Sequence, residues 1–295
     1  MKIAIFIGHL LPKGTMMWAM FVLAHDCGHG SFSNYPWVND TVGNLLNSLI
    51  LVPYYPWKMS HQHHHKNTGN IDKDEIFYPV REKDIAGRKR KFFTYFGLGF
   101  GWFYYLMQGF SPRSVPHWNP GLPMFVRQAG KCTLSLACNA TWILLLTWYS
   151  QHKGFVCLLT HYLLPVLVFG TWLVVTTFLH HQGEGVPWYA DSKWDYVRGQ
   201  LSSVDRDYGW AHSLVHNIGT HQMHHMFTKI PHYHLEEATA AFRSKYPDLV
   251  RVSDALILQD FVKRFHIFNS DMYIANDQDV HVFGRGSFNN NKKED

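Results

Sequence analysis

Cysteine is scarce in this chain. There are four in 295 residues (Cys27, Cys132, Cys138 and Cys157), with no CxxC pair, so no disulfide framework is implied. Charge is thin as well: 17% of residues are charged and 16% are aromatic, a membrane-leaning balance. The net charge of +5 comes with no groove-reading module, which leaves no case for a nucleic-acid partner. Long low-complexity linkers are missing, and the only internal repeat is a short histidine pattern. Length alone fits one large domain or two ordinary ones.

What is present begins with apolar runs. Leu134 to Tyr149 carries no charge, and neither does the longer run from Phe155 to Leu179. A crossing takes about 20 apolar residues, so the pair, joined by the polar turn SQHKG (150–154), reads as a transmembrane hairpin (spans 134–149 and 155–179). Residues 3–24 read as a third span, interrupted by Pro12-Lys13-Gly14. A signal peptide is rejected there, because its cleavage site would abut the first histidine cluster. Residues 42–57 end in Pro53 and Pro56 and are too short to cross twice, so they read as re-entrant or interfacial. The hairpin then goes out and comes back, and all histidine clusters lie on one face. Arg88-Lys89-Arg90-Lys91, on that face, makes it cytosolic by the positive-inside rule.

Three histidine clusters punctuate the chain. They are His25-Asp26-Cys27-Gly28-His29, His61-Gln62-His63-His64-His65 and His221-Gln222-Met223-His224-His225. Spacings of i+3 and i+4 stack imidazoles on one helix face, where their lone pairs can converge on a metal. This selects eight ligands: His25, His29, His61, His64, His65, His221, His224 and His225. Eight exceed the needs of one ion and suit two; ligand type alone leaves iron, zinc and copper open. His63 breaks the pattern and projects elsewhere. His180, His181 and His216 are additional candidates that would complete or orient the coordination, and Asp26 is a candidate hydrogen-bond acceptor beside His25. His9, His161 and His266 read as packed or solvated residues.

The clusters, in this order around apolar spans, resemble the histidine boxes of the membrane-bound fatty acid desaturases. The similarity runs from about Gly14 to Arg264. HDCGHGSFS (25–33), LVPYYPWKMSHQHHH (51–65), TFLHHQGEGVPWY (177–189), SSVDRDYGW (202–210) and HNIGTHQMHHMFTKIPHYHLEEAT (216–239) resemble the methyl-end group, the omega-3 desaturases above all. The resemblance implies an all-α integral membrane protein with a cytosolic, histidine-rich di-iron cap. It implies a desaturase domain over residues 1–266 and a C-terminal tail over 267–295. It also implies two iron ions, O2 as co-substrate, and a cis double bond inserted near the methyl end of a polyunsaturated acyl chain carried on lipid or coenzyme A. No catalytic residue is implied beyond the iron ligands. A delta-12 desaturase, a related hydroxylase and an inactive shortened variant are the alternatives within the family. A metal transporter or storage protein is the alternative outside it, and would place its ligands deep inside the spans.

A dry acyl channel must end beside the metals. The aromatic-rich stretch 92–110 reads first as an interfacial amphipathic segment and second as a wall of that channel. Relatives usually carry a further N-terminal hairpin, whereas Met1 lies 24 residues before His25. No HPGG haem motif appears, so the donor is expected to be a separate protein, cytochrome b5 with its reductase. The closing Lys292-Lys293-Glu294-Asp295 resembles a dilysine retrieval signal, giving an endoplasmic-reticulum location with a cytosolic C-terminus.

Overall fold

Gly30 decides where the first helix stops. α1 (Lys2–His29) ends as Gly30 takes a φ of 67°, and the amides of Gly30 and Ser31 turn back to the carbonyls of Cys27 and Asp26. Glycine adopts this left-handed conformation without a Cβ penalty. His25 and His29 therefore occupy the end of the helix rather than its middle. The computed structural model describes residues 2–85, 89 and 91–285, with side chains from residue 8 onward. Arg88, Arg90 and the Lys292–Asp295 signal lie outside the described residues.

The segment expected to re-enter is the end of α2 (Pro36–Ser48), a tight turn through Leu51 (φ 61°) and the start of α3 (Tyr54–Asn67). The chain reverses there, which returns the second histidine cluster to the level of the first. α5 (Ala129–Lys153) locks the turn with small polar residues. Ser135 Oγ accepts from the Tyr55 amide at 3.1 Å and donates to Asn44 Oδ1 at 2.5 Å, and Asn139 Nδ2 donates to the Val52 carbonyl at 3.1 Å. Such bonds satisfy backbone that would otherwise be stranded in an apolar setting.

After Gly154 (φ 85°) the chain returns through α6 (Phe155–Leu158), a π-helical turn (Leu159–Leu163) and α7 (Leu164–His181). Pro165 lacks the N–H that would bond the carbonyl four residues earlier, and the wider turn just before it absorbs the mismatch. Among the described residues, Val126–Lys153 and Phe155–His181 are the two helical stretches long and apolar enough to cross a membrane. They extend the expected runs 134–149 and 155–179. The expected span 3–24 is helical but is not one of these two; His9, Pro12 and Lys13 dilute it.

α1 and α4 (Gly99–Gln108) pack on α7. Trp18 of α1 stacks on Trp172 of α7, centroids 4.8 Å apart, and the Trp172 indole N–H donates to Thr15 Oγ1 at 3.0 Å. α4 meets α7 through Gly99 and Gly170; a Cβ on Gly99 would sit 2.1 Å from the Leu167 carbonyl oxygen, so only glycine permits this approach. α8 (Tyr196–Gln200), α9 (His221–Met226), α10 (His232–Lys245) and α11 (Ile257–Asp271) form a mostly helical cap at the ends of α1, α3 and α7. Three short ribbons stitch it together. β1 (Val80–Arg81) pairs with β5 (Tyr273–Ile274), β2 (Pro187–Tyr189) with β6 (Val280–Val282), and β3 (Asp205–Arg206) with β4 (Val252–Ser253). Residues 273–282 are thus paired into the cap.

Candidate metal centre

Four helix segments deliver imidazoles to one place. α1 brings His25 and His29, α3 brings His61, His64 and His65, α7 ends on His181, and α9 brings His221, His224 and His225. In a first nest the Nε2 atoms run in series: His25 to His29 at 3.2 Å, His29 to His61 at 3.0 Å, His61 to His65 at 3.1 Å and His65 to His224 at 3.2 Å. A second nest joins His64 to His181 at 3.2 Å, His181 to His221 at 3.2 Å and His221 to His225 at 2.9 Å. The nests touch where His65 and His225 stack, centroids 4.1 Å apart.

Hydrogen bonding cannot explain these series. A ring nitrogen carries either one N–H or one lone pair in its plane, so it serves one such partner. His29, His61, His65, His181 and His221 each face two other Nε2 atoms. A cation at the middle of the first nest, whose five donors all lie within 4.8 Å of one another, would satisfy every lone pair at once, and in the second nest His64, His181 and His225 meet the same limit with His221 at its edge. Metal–imidazole bonds of about 2.1 Å at right angles place neighbouring donors about 3.0 Å apart, which matches the observed spacings. Five donors in one nest exceed the four of a tetrahedral zinc site. Burial lowers the pKa of His29, His61, His65, His221, His224 and His225 below the ordinary histidine value, reinforced by the neighbouring imidazoles, so these rings stay neutral.

The rings are aimed from behind. Asp74, fully buried, accepts from His64 Nδ1 at 2.8 Å and is itself held by the amides of Gly69 and Glu75. His225 Nδ1 donates to Gln200 Oε1 at 3.2 Å. Both bonds put the proton on Nδ1 and leave Nε2 free to bind metal. Asp205 accepts from the amide of Gln222 at 2.8 Å and so fixes the start of α9. Asp74→Asn is therefore expected to weaken metal binding by about 10–100-fold with little change in fold, as read by titration of the metal-depleted protein.

The eight expected ligands meet, and His181 joins them; the other additional candidates do not. His180 Nδ1 donates to the Val204 carbonyl at 2.6 Å and its Nε2 accepts from the Tyr208 hydroxyl at 2.9 Å, so both nitrogens are used. His216 packs on His232 instead, centroids 4.6 Å apart. Asp26 accepts from His232 Nδ1 at 2.8 Å and stays 3.8 Å from His25 Nδ1. His63 points away, 3.5 Å from Glu75. Asp74, Gln200 and Tyr208 escaped the sequence reading, although the acidic run beginning at Asp72, just past the second cluster, was a signal.

An apolar cavity opens on the nests, lined by His25, His61, His64, His181, His221 and His225 together with Trp18, Phe21 and Trp57. A second, more apolar cavity adjoins it, walled by Phe77, Phe92, Phe96 and Phe110. Ile76, Trp102, Tyr105, Leu173 and Thr177 line both. The stretch 92–110 thus supplies cavity wall, while Phe100 and Met107 face outward.

The fatty acid desaturase family model matches residues 3–254. The chain belongs to the fatty acid desaturase family. Within this family it is similar to omega-3 desaturases. It is 41% identical to the sn-1 acyl-lipid omega-3 desaturase (ferredoxin) of Synechocystis sp. over 86% of this chain and 72% of the relative. It is 40% identical to a chloroplastic omega-3 desaturase of Ricinus communis (91% and 60%) and 43% identical to an endoplasmic-reticulum one of Vigna radiata (79% and 63%). The chain spans about three fifths of the length of the latter two. The expectation of cytochrome b5 as donor is overturned, because the Synechocystis relative and further chloroplastic relatives are named for ferredoxin. The desaturase relatives are assigned to chloroplast, cyanobacterium and endoplasmic reticulum.

Proposed function

We propose that this chain is an omega-3 acyl-lipid desaturase with a di-iron centre. His25, His29, His61, His65 and His224 would hold one iron, and His64, His181, His221 and His225 the other. The observation that carries this reading is the pair of all-imidazole nests at the floor of an apolar cavity. Imidazole suits iron, and five donors at right-angle spacing favour an octahedral ion over tetrahedral zinc. Bound iron supplies the activation of dioxygen.

The chain's own residues do the rest. Asp74 and Gln200 keep His64 and His225 in the tautomer that offers Nε2. Trp18, Phe21 and Trp57 keep water from the nests, and the two cavities in line give an extended acyl chain a path past them. Overall, two hydrogens with their two electrons leave adjacent methylenes. Two more electrons arrive from the donor with two protons from solvent, and O2 departs as two waters. Ferredoxin is the donor that the relatives' names support. The nests and the donor share one face of the membrane, the face reached by both ends of the 126–181 hairpin. The Vigna radiata relative supports the endoplasmic-reticulum reading, whereas the ferredoxin names support a photosynthetic membrane. Microscopy of the tagged chain against markers of both separates them.

The test is expression with ferredoxin and its reductase in a host lacking omega-3 products, fed linoleate. A new omega-3 double bond located by mass spectrometry is the expected result. Iron-loaded protein that makes no omega-3 product from membrane lipid would overturn the reading.

A further inference from the structure

His180, excluded from the nests, is the start of an aromatic chain that leads away from them. Its ring stacks on His221, centroids 4.0 Å apart and planes 20° from parallel. Its Nδ1 donates to the Val204 carbonyl, so its Nε2 holds a lone pair. Into that lone pair the buried Tyr208 hydroxyl donates at 2.9 Å. The Tyr208 ring meets Trp18 edge-on at 5.8 Å, and Trp18 stacks on Trp172 at 4.8 Å with planes 10° apart. The proposed reaction uses neither Tyr208 nor Trp172, and uses Trp18 only as cavity wall.

A tyrosine gives up an electron readily only if its proton has somewhere to go. Tyr208 has that acceptor built in, and it has a stacked imidazole between itself and a ligand. We propose that Tyr208 is a one-electron relay that quenches the oxidised centre when no acyl chain is in place, with Trp18 and Trp172 carrying the hole onward into the α1–α7 interface. The inference rests on the di-iron reading above. In the step, the O–H bond of Tyr208 breaks, its electron reduces the centre already oxidised by O2, and its proton moves to His180 Nε2. The product is a neutral tyrosyl radical beside a protonated imidazole. An electron from Trp18, and in turn from Trp172, refills the radical and the proton returns. A one-electron reductant that reaches the α1–α7 interface restores the tryptophan. The relay protects the nest imidazoles and the cavity wall from oxidation during turnover without substrate.

The experiment uses the full iron-loaded chain, reduced, exposed to O2 without acyl lipid and freeze-quenched for electron paramagnetic resonance. The expected result is an organic radical signal that narrows when tyrosine is ring-deuterated and disappears in Tyr208→Phe. Trp172→Phe, which leaves the Tyr208–His180 pair intact, is expected to prolong that signal. Tyr208→Phe is further expected to lose activity severalfold faster when pre-incubated with O2 and reductant alone, with more oxidised histidine in its peptides. A signal unchanged in Tyr208→Phe, or none in a chain that desaturates lipid, overturns the relay and leaves the desaturase reading standing. A chain that binds no iron overturns both.

Discussion

His181→Ala is expected to leave a chain that binds one iron in place of two and makes no detectable omega-3 product. His181 lies outside the three clusters, yet its Nε2 sits 3.2 Å from both His64 and His221, between the other donors of its nest. Its removal takes away the Nε2 that lies between His64 and His221, and leaves His64 in ring contact with His225 alone in that nest, centroids 5.4 Å apart. His63→Ala provides the contrast. His63 lies inside the second cluster but faces Glu75 and solvent, and its removal is expected to leave iron content unchanged and activity within about threefold, as for other exposed side chains. Elemental analysis of purified protein with product profiling of the same cells reads both. Two irons retained in His181→Ala would show that the second nest is not a ligand set.

Thr177→Trp is expected to abolish product while both irons stay bound. Thr177 lines both cavities, so an indole there closes the passage between them. Overpacking of this kind costs about 1–3 kcal/mol where neighbours cannot move, and this α7 position borders open space, so folding is expected to survive. Thr177→Ser, which keeps the passage open, is expected to turn over normally. Full conversion of linoleate by Thr177→Trp, with iron verified, would mean that the acyl chain reaches the nests by another route.

Much of this arrangement was legible in the residues, and the limits have physical causes. Helical spacing found eight of the nine nest histidines because each cluster sits within a single helix, where i+3 and i+4 share a face. His181 was only one of three further candidates. Its contribution depends on where α7 ends relative to α3, a tertiary fact that no local period records. His180, its neighbour, was equally eligible by sequence and is turned away by Val204 and Tyr208. The hairpin was plain from its uncharged runs, yet its helices are longer than those runs because Ala129–Thr133 and Ser150–Lys153 continue α5 with polar side chains. The turn in 42–57 runs through Leu51, whose side chain gives no sign of a φ of 61°, while Pro53 caps the helix that follows. Asp74 was missed because a carboxylate in a loop shows its role only when the imidazole it steadies is in view.

The nests also act as knots in the chain. His29 and His61 lie 32 residues apart, His64 and His181 lie 117 apart, and His65 and His224 lie 159 apart. An ion in each nest would close all of these loops at once, and closure entropy rises only slowly with loop length. Two ions would thus fasten α9, a helix of six residues too short to hold itself, to three long partners. A cell starved of iron would then hold less of this protein, and would not simply hold an idle form of it. Its abundance, followed as iron is withdrawn and resupplied, becomes a gauge of the metal.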